Sequence, residues 1–265
     1  MLRWLVTYPS DDKSFTLFAV FFIFVGVIIL AASLTNWRRR KRVLATLNSP
    51  IATAPGTGSV EIKGRIAPSD QGLLNAPFSD RQCVWYIAEV YENRGTKDEV
   101  SWVSILRESN RCAFLVDDGS GQLARILPKG ANVIAGSQEV ASSNRSNAAA
   151  PRIETFLVSR GLSNKKRETL SYREAVLVPG EELYAIGPSR RDAGPPIVSG
   201  YRDAPSSELV LFANGKADGE LILTTKSKRE LVSFLGASVV VGSVLTGVGI
   251  LFGIAAIAKS FISTK

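Results

Sequence analysis

The spacing of hydrophobic and polar positions divides the chain into three parts. Residues 15–34, FTLFAVFFIFVGVIILAASL, form an uncharged run, and residues 231–258, LVSFLGASVVVGSVLTGVGILFGIAAIA, form a second. At about 1.5 Å rise per residue each is long enough for the roughly 30 Å apolar core of a bilayer, so both are expected to be transmembrane helices. The first run exceeds a signal-peptide core, and WRRRKR follows it where a small-residue cleavage site would stand, which favours an uncleaved anchor.

Between the runs the period shortens to two. Val60, Ile62 and Ile66 alternate with Glu61, Lys63 and Arg65, the pattern of a strand with one buried face. QCVWYIAEVY (82–91) and VSWVSIL (100–106) are placed to pair antiparallel across ENRGTKDE. RIETFLV (152–158), ELVLFA and GELILTT read as further strands. EAVLVPGEELYAIG (174–187) reads as a hairpin whose Pro179-Gly180 suits the centre of a type II turn. Residues 136–151, GSQEVASSNRSNAAAP, read as an exposed, mobile loop. Short strands with polar turns and no amphipathic helix predict a small, closed or nearly closed β-barrel or sandwich.

AFLVDDGSGQLARI (113–126) admits three readings. A calcium loop needs spaced carboxylates and a downstream bidentate Glu, but no acid follows Asp117 and Asp118 before Glu139. A phosphate loop normally opens a helix, whereas QLARIL reads as a strand. Asp117, Asp118, Gly119 and Gly121 therefore suit a β-turn between strands, where Asp and Gly accept positive φ. At the far end of the domain, Ser227 stands three residues before Glu230, the capping-box spacing that starts a helix.

Charge refines this picture. The chain carries a formal net charge of +8, yet residues 43–225 hold 20 basic and 21 acidic side chains. The excess lies beside the apolar runs, in Arg38, Arg39, Arg40, Lys41 and Arg42 after Trp37, and in Lys226, Lys228 and Arg229. A nearly neutral central domain argues against nucleic acid as a partner. The positive-inside bias places that domain on the cytoplasmic side of a prokaryotic inner or plasma membrane, with both termini outside. The expected organisation is a short outer segment (1–14), a transmembrane helix (15–34), a basic linker (35–57), a β domain (58–226), a capped helix continuing into a second transmembrane helix (227–258) and an outer tail (259–265).

Little catalytic chemistry is encoded. With no histidine and two cysteines, Cys83 and Cys112, the chain cannot form a Ser-His-Asp triad, a Cys-His pair or a four-cysteine zinc site. It contains no G-x-x-x-x-G-K-[ST] loop. No catalytic, cofactor or metal residue is expected. Small residues form stripes in the apolar runs, Ala19, Gly26 and Ser33 in the first and Ser238, Gly242, Thr246, Gly249 and Gly253 in the second. Such stripes permit close helix packing, within the chain or against a membrane-protein partner or second copy.

The succession VEIKGRIAPSDQGLLNAPFSDRQCVWYIAEVYE, FLVDDGSGQLARILPKGA, SYREAVLVPGEELYAIG and LILTTKSKRELV resembles the GIDE domain, also called the BAM or "beside a membrane" domain. The matching elements are Gly64, Pro77, Cys83, Phe114, Asp117, Gly121, Glu174, Pro179, Gly180, Gly187 and Ser227. The resemblance implies a membrane-anchored module with an interaction or assembly role. The RING of the family's ubiquitin ligases has no counterpart here, so ligase activity does not carry over. The DDGSG turn is also similar to that of OB-type barrels. The resulting expectation is an OB-like all-β domain flanked by two transmembrane helices, acting as a non-catalytic interaction or scaffold subunit with the lipid bilayer and a membrane protein as partners. The rival expectation is an enzyme or small-ligand or redox sensor that uses a barrel pocket or Cys83 and Cys112.

Overall fold

The structure, a computed structural model, describes residues 12–46, 48–95, 99–162, 169–193, 207–215, 219–233 and 236, with the backbone alone for part of 12–32. The chain divides into two compact units, residues 1–45 with 228–265, and residues 46–227.

In the first unit α1 runs from Asp12 to Ala45 as one helix. It carries the first apolar run together with Asp12, Lys13 and the whole basic cluster, whose Lys41 ammonium sits 4.0 Å from the Trp37 ring centroid. Among the described residues no helix is long and apolar enough to cross a membrane. This corrects the expected pair of transmembrane helices, and with it the two-pass topology and the cytoplasmic-side placement. The apolar run is not a helix of its own but one part of a longer element with charges at both ends. Most of the second run lies outside the described residues; residues 228–233 are helical, starting directly after Ser227.

The described residues of the second unit form thirteen strands and one helix. In chain order they are β1 (Ser59–Pro68), β2 (Leu74–Asn75), β3 (Gln82–Cys83), β4 (Trp85–Asn93), β5 (Trp102–Arg111), β6 (Phe114–Asp117), β7 (Leu123–Leu127), β8 (Asn132–Ile134), β9 (Gln138–Ser143), α2 (Pro151–Ser159), β10 (Leu170–Leu177), β11 (Glu182–Ala193), β12 (Ser207–Phe212) and β13 (Ile222–Thr224).

Strands β1, β6, β7, β12 and β11 close into a ring, because β11 pairs with β12 on one edge and returns to β1 on the other. Every pairing is antiparallel except β12 with β7. Five strands in this order with that single parallel step are an OB-like barrel. Alternation fills its interior: Val60, Ile62, Ile66, Phe114, Val116, Ala124, Ile126, Leu183, Ala185, Leu209 and Leu211 are all buried. Gly64 and Gly187 are required by close approach, since a Cβ at Gly64 would lie 2.4 Å from the Asp117 carbonyl oxygen and one at Gly187 would lie 2.8 Å from Leu221.

Two insertions into the barrel build a second sheet of order β5-β4-β10-β9. Its strands β4 and β5 come from the connection between β1 and β6, and β9 and β10 from that between β7 and β11. One face, carrying Tyr86, Ala88, Val90, Leu170 and Tyr172, packs on Ile153 and Leu157 of α2 and on Phe78. Phe78 meets Phe156 and Tyr172 edge-on, with centroids 5.3 and 5.6 Å apart. The other face packs on the barrel through Trp85, Ala175 and Leu177.

Four local expectations change. RIETFLV forms α2 rather than a strand, with Pro151 at the helix start and Ile153 and Leu157 one turn apart on its buried side. The polar stretch 136–151 contains β9, paired with β10. Pro179-Gly180 forms the expected turn, with Gly180 at φ 83° and Glu181 N–H donating to Val178 O, but it is a corner between two sheets, because β10 and β11 do not pair. The supposed linker is the end of α1 followed by a turn that buries Ile51 and Ala54 in the barrel core.

Candidate functional site

The DDGSG loop has a structural task that its sequence does not display. Gly119 and Gly121 adopt positive φ, and the carboxylates of Asp117 and Asp118 accept from the N–H groups of Gly119 and Ser120 at 2.8 and 2.9 Å. The second oxygen of Asp118 accepts from Ile51 N–H at 2.7 Å. From the other side, the Arg191 guanidinium donates to the carbonyls of Ile51, Ala52 and Ala54. Together they hold the 50–54 turn against the barrel, and all of this turn's anchors lie far away in sequence. Burial pulls the Asp118 carboxyl upward, but the donors from Ser120 and Ile51 outweigh it and leave it below the ordinary carboxylate range. With its oxygens already engaged, the loop is a latch.

Pro77, Cys83 and Glu174 converge on a second structural feature. The buried Glu174 carboxylate accepts from Phe78 N–H at 2.8 Å, from Ser79 N–H at 3.2 Å and from the Ser79 hydroxyl. Arg152 of α2 donates to the carbonyls of Pro77 and Ala76 and pairs with Asp80, the one non-glycine residue with positive φ among those described. These contacts fix the turn that presents Phe78 to the core. Cys83 is fully buried, and burial, reinforced by the negative Glu174, pushes its thiol up to about 11. Cys112 is half-buried and also raised by burial; both cysteines are free. A thiol held in its protonated form is a poor nucleophile, so neither cysteine has the electropositive setting of a reactive one.

The open surface lies where the second sheet extends past the barrel. A groove of ≈ 370 Å³ has Trp85 and Ile87 among its lining residues, with Glu89, Arg107, Ser109 and Arg111 on the sheet side and Asn132, Val133, Ala135 and Ser137 opposite. Strand register explains the grouping: Trp85 stands opposite Arg111, Ile87 opposite Ser109 and Glu89 opposite Arg107, so alternate residues of β4 and β5 share this face. Glu89 and Arg107 form a 3.5 Å ion pair. Farther along, Arg173 stacks over Tyr91 at 5.1 Å. Arg111 and Arg173 form no ion pair among the described residues. Both flanks of the groove are the end strands of sheets: β5 pairs only with β4, and β8 only with β13, among the described residues.

The remaining sequence candidates are scattered. Ser33 is buried in α1, while the surroundings of Ala19 and Gly26 lie outside the described residues, as do Ser238, Gly242, Thr246, Gly249 and Gly253. Trp37 and Arg38 to Arg42 belong to α1, Lys226 donates its N–H to the Thr224 hydroxyl, and Lys228, Arg229 and Glu230 open the helix after Ser227. None of these lines the groove. Among the described residues no group of three or more His, Cys, Asp or Glu side chains is placed to hold a metal ion. No family model, curated protein or solved structure matches the chain.

Proposed function

We propose that residues 46–227 are a non-catalytic interaction module that receives an extended, acidic segment of a partner polypeptide in the groove between β5 and β8. The observation that carries this reading is the pairing of two free sheet edges with an arginine-bearing floor. Strand addition supplies main-chain hydrogen bonds along a free edge, and alternate side chains of the incoming segment then point to one face. Here that face presents Ile87 to apolar side chains and Arg107 and Arg111 to carboxylates. The resemblance to the GIDE domain supports the same interaction role.

The test is fluorescence anisotropy with a labelled ten-residue peptide of alternating Glu and Val, against one of alternating Lys and Val. Binding of the acidic peptide alone, weakened by salt and by Arg107→Glu with Arg111→Glu, is the expected result. Equal binding of both peptides, or binding that the double variant leaves unchanged, rejects the reading.

A further inference from the structure

A second, more enclosed space lies between α2 and the β9–β10 pair, away from the groove. Its volume is ≈ 200 Å³, and its walls include Leu157, Leu162, Leu170 and Ala149. Asn144, Arg145, Ser146 and Glu154 also line it, and among the lining residues Ser143 and Tyr172 are buried, with Ser143 Oγ and Tyr172 Oη 2.7 Å apart.

Two hydroxyls carry two protons, yet one hydrogen bond between them uses only one. Whichever oxygen donates, the other O–H still needs an acceptor. Neither hydroxyl has another hydrogen-bond partner among the described residues. A buried hydroxyl proton without an acceptor costs about 1–3 kcal/mol, and both residues line the cavity, so a group that enters that space can supply the acceptor. Size narrows the choice, because an apolar cavity of about 150 Å³ accepts benzene. The present space holds a ring and one small substituent. Charge narrows it further: Arg145 and Glu154 both line the site with opposite signs, so neither anions nor cations are favoured.

We propose that this pocket binds a small, uncharged, mainly apolar carbonyl compound of single-ring size, its oxygen accepting from the Ser143–Tyr172 hydroxyl pair. The experiment compares acetophenone with α-methylstyrene, which has the same shape but lacks the acceptor, by ligand-observed NMR titration of the full chain. Acetophenone should bind saturably and about fivefold more tightly, the factor one additional hydrogen bond supplies. Ser143→Ala with Tyr172→Phe removes both hydroxyls at nearly constant volume, a change that spares folding because no polar partner is stranded. In that variant the two compounds should bind alike. Ala148→Trp, an exposed lining position, should block both compounds. Absence of saturable binding, equal affinities in the unaltered chain, or a preference that survives loss of both hydroxyls overturns the proposal; equal affinities mean that an ordered water satisfies the pair, and a surviving preference means that the carbonyl is held by other residues.

Discussion

The barrel and the second sheet are made from similar strands but end differently. In the barrel β11 returns to β1, so every strand of the ring has two neighbours and the alternating apolar residues face one closed core. The second sheet stops at β5 and β9, and only part of its barrel-side face is covered. Closure removes edges, which are the surfaces most prone to unwanted pairing, whereas an open sheet leaves edges that a partner can use. Stability thus rests on the closed ring, and recognition on the second sheet together with β8, which extends from the ring through β13 and ends in a free edge among the described residues.

Core substitutions provide the strongest test of this division. Phe114→Ala removes a fully buried barrel side chain and should cost about 3–5 kcal/mol, lowering hydrogen-exchange protection in both sheets. Ile153→Ala in α2 should cost about 2–4 kcal/mol but remove protection from the second sheet alone. If Ile153→Ala releases the barrel equally, the two regions are one cooperative unit and the contrast fails. Glu174→Gln should cost about 2 kcal/mol, read from the urea midpoint, because a charged acceptor for three donors becomes a neutral one.

A smaller effect comes from pH. The folded chain keeps the Cys83 proton up to about 11, against an ordinary 9.0, so its contribution is complete below 9.0 and lost as pH rises through that window. Cys83→Ala should flatten this alkaline loss; an unchanged slope assigns it elsewhere. Asp118 acts in the opposite sense: its lowered value means that the latch contributes above the ordinary 3.8 and weakens as pH falls. The smallest effect belongs to the groove, where Arg107→Glu with Arg111→Glu should change stability by no more than about 0.5 kcal/mol. A loss well beyond that in thermal unfolding would make these arginines structural.

The barrel strands were readable from the sequence because β1 alternates apolar and polar residues and β6 and β12 are short apolar runs, and the DDGSG turn was readable because its residue types suit few other backbones. The 50–54 turn was not, since its Pro, Ala and Thr residues look like a linker and its burial depends on Asp118 and Arg191. RIETFLV satisfies both periods, with Ile153, Thr155 and Leu157 at strand spacing and Ile153 and Leu157 at helical spacing; Pro151 was the signal that favoured a helix. Strand β9 escaped notice because it is polar and lies at an edge. The groove could not be foreseen, because its arginines converge only through register with β4 and approach of β8. Hydropathy misjudged the first apolar run, because the run is only part of a longer helix bearing charged residues.

The origin of the second sheet in two separate insertions also sets an order of events. Its central pairing joins β4 with β10, strands from insertions on either side of β6 and β7 in the chain, so the sheet is complete only when both insertions are in place. A newly made chain therefore has no complete second sheet to offer until β10 has followed β4. On the proposed reading, a half-folded copy cannot engage a partner, and neither insertion could have been acquired or lost in evolution without the other losing its companion strand.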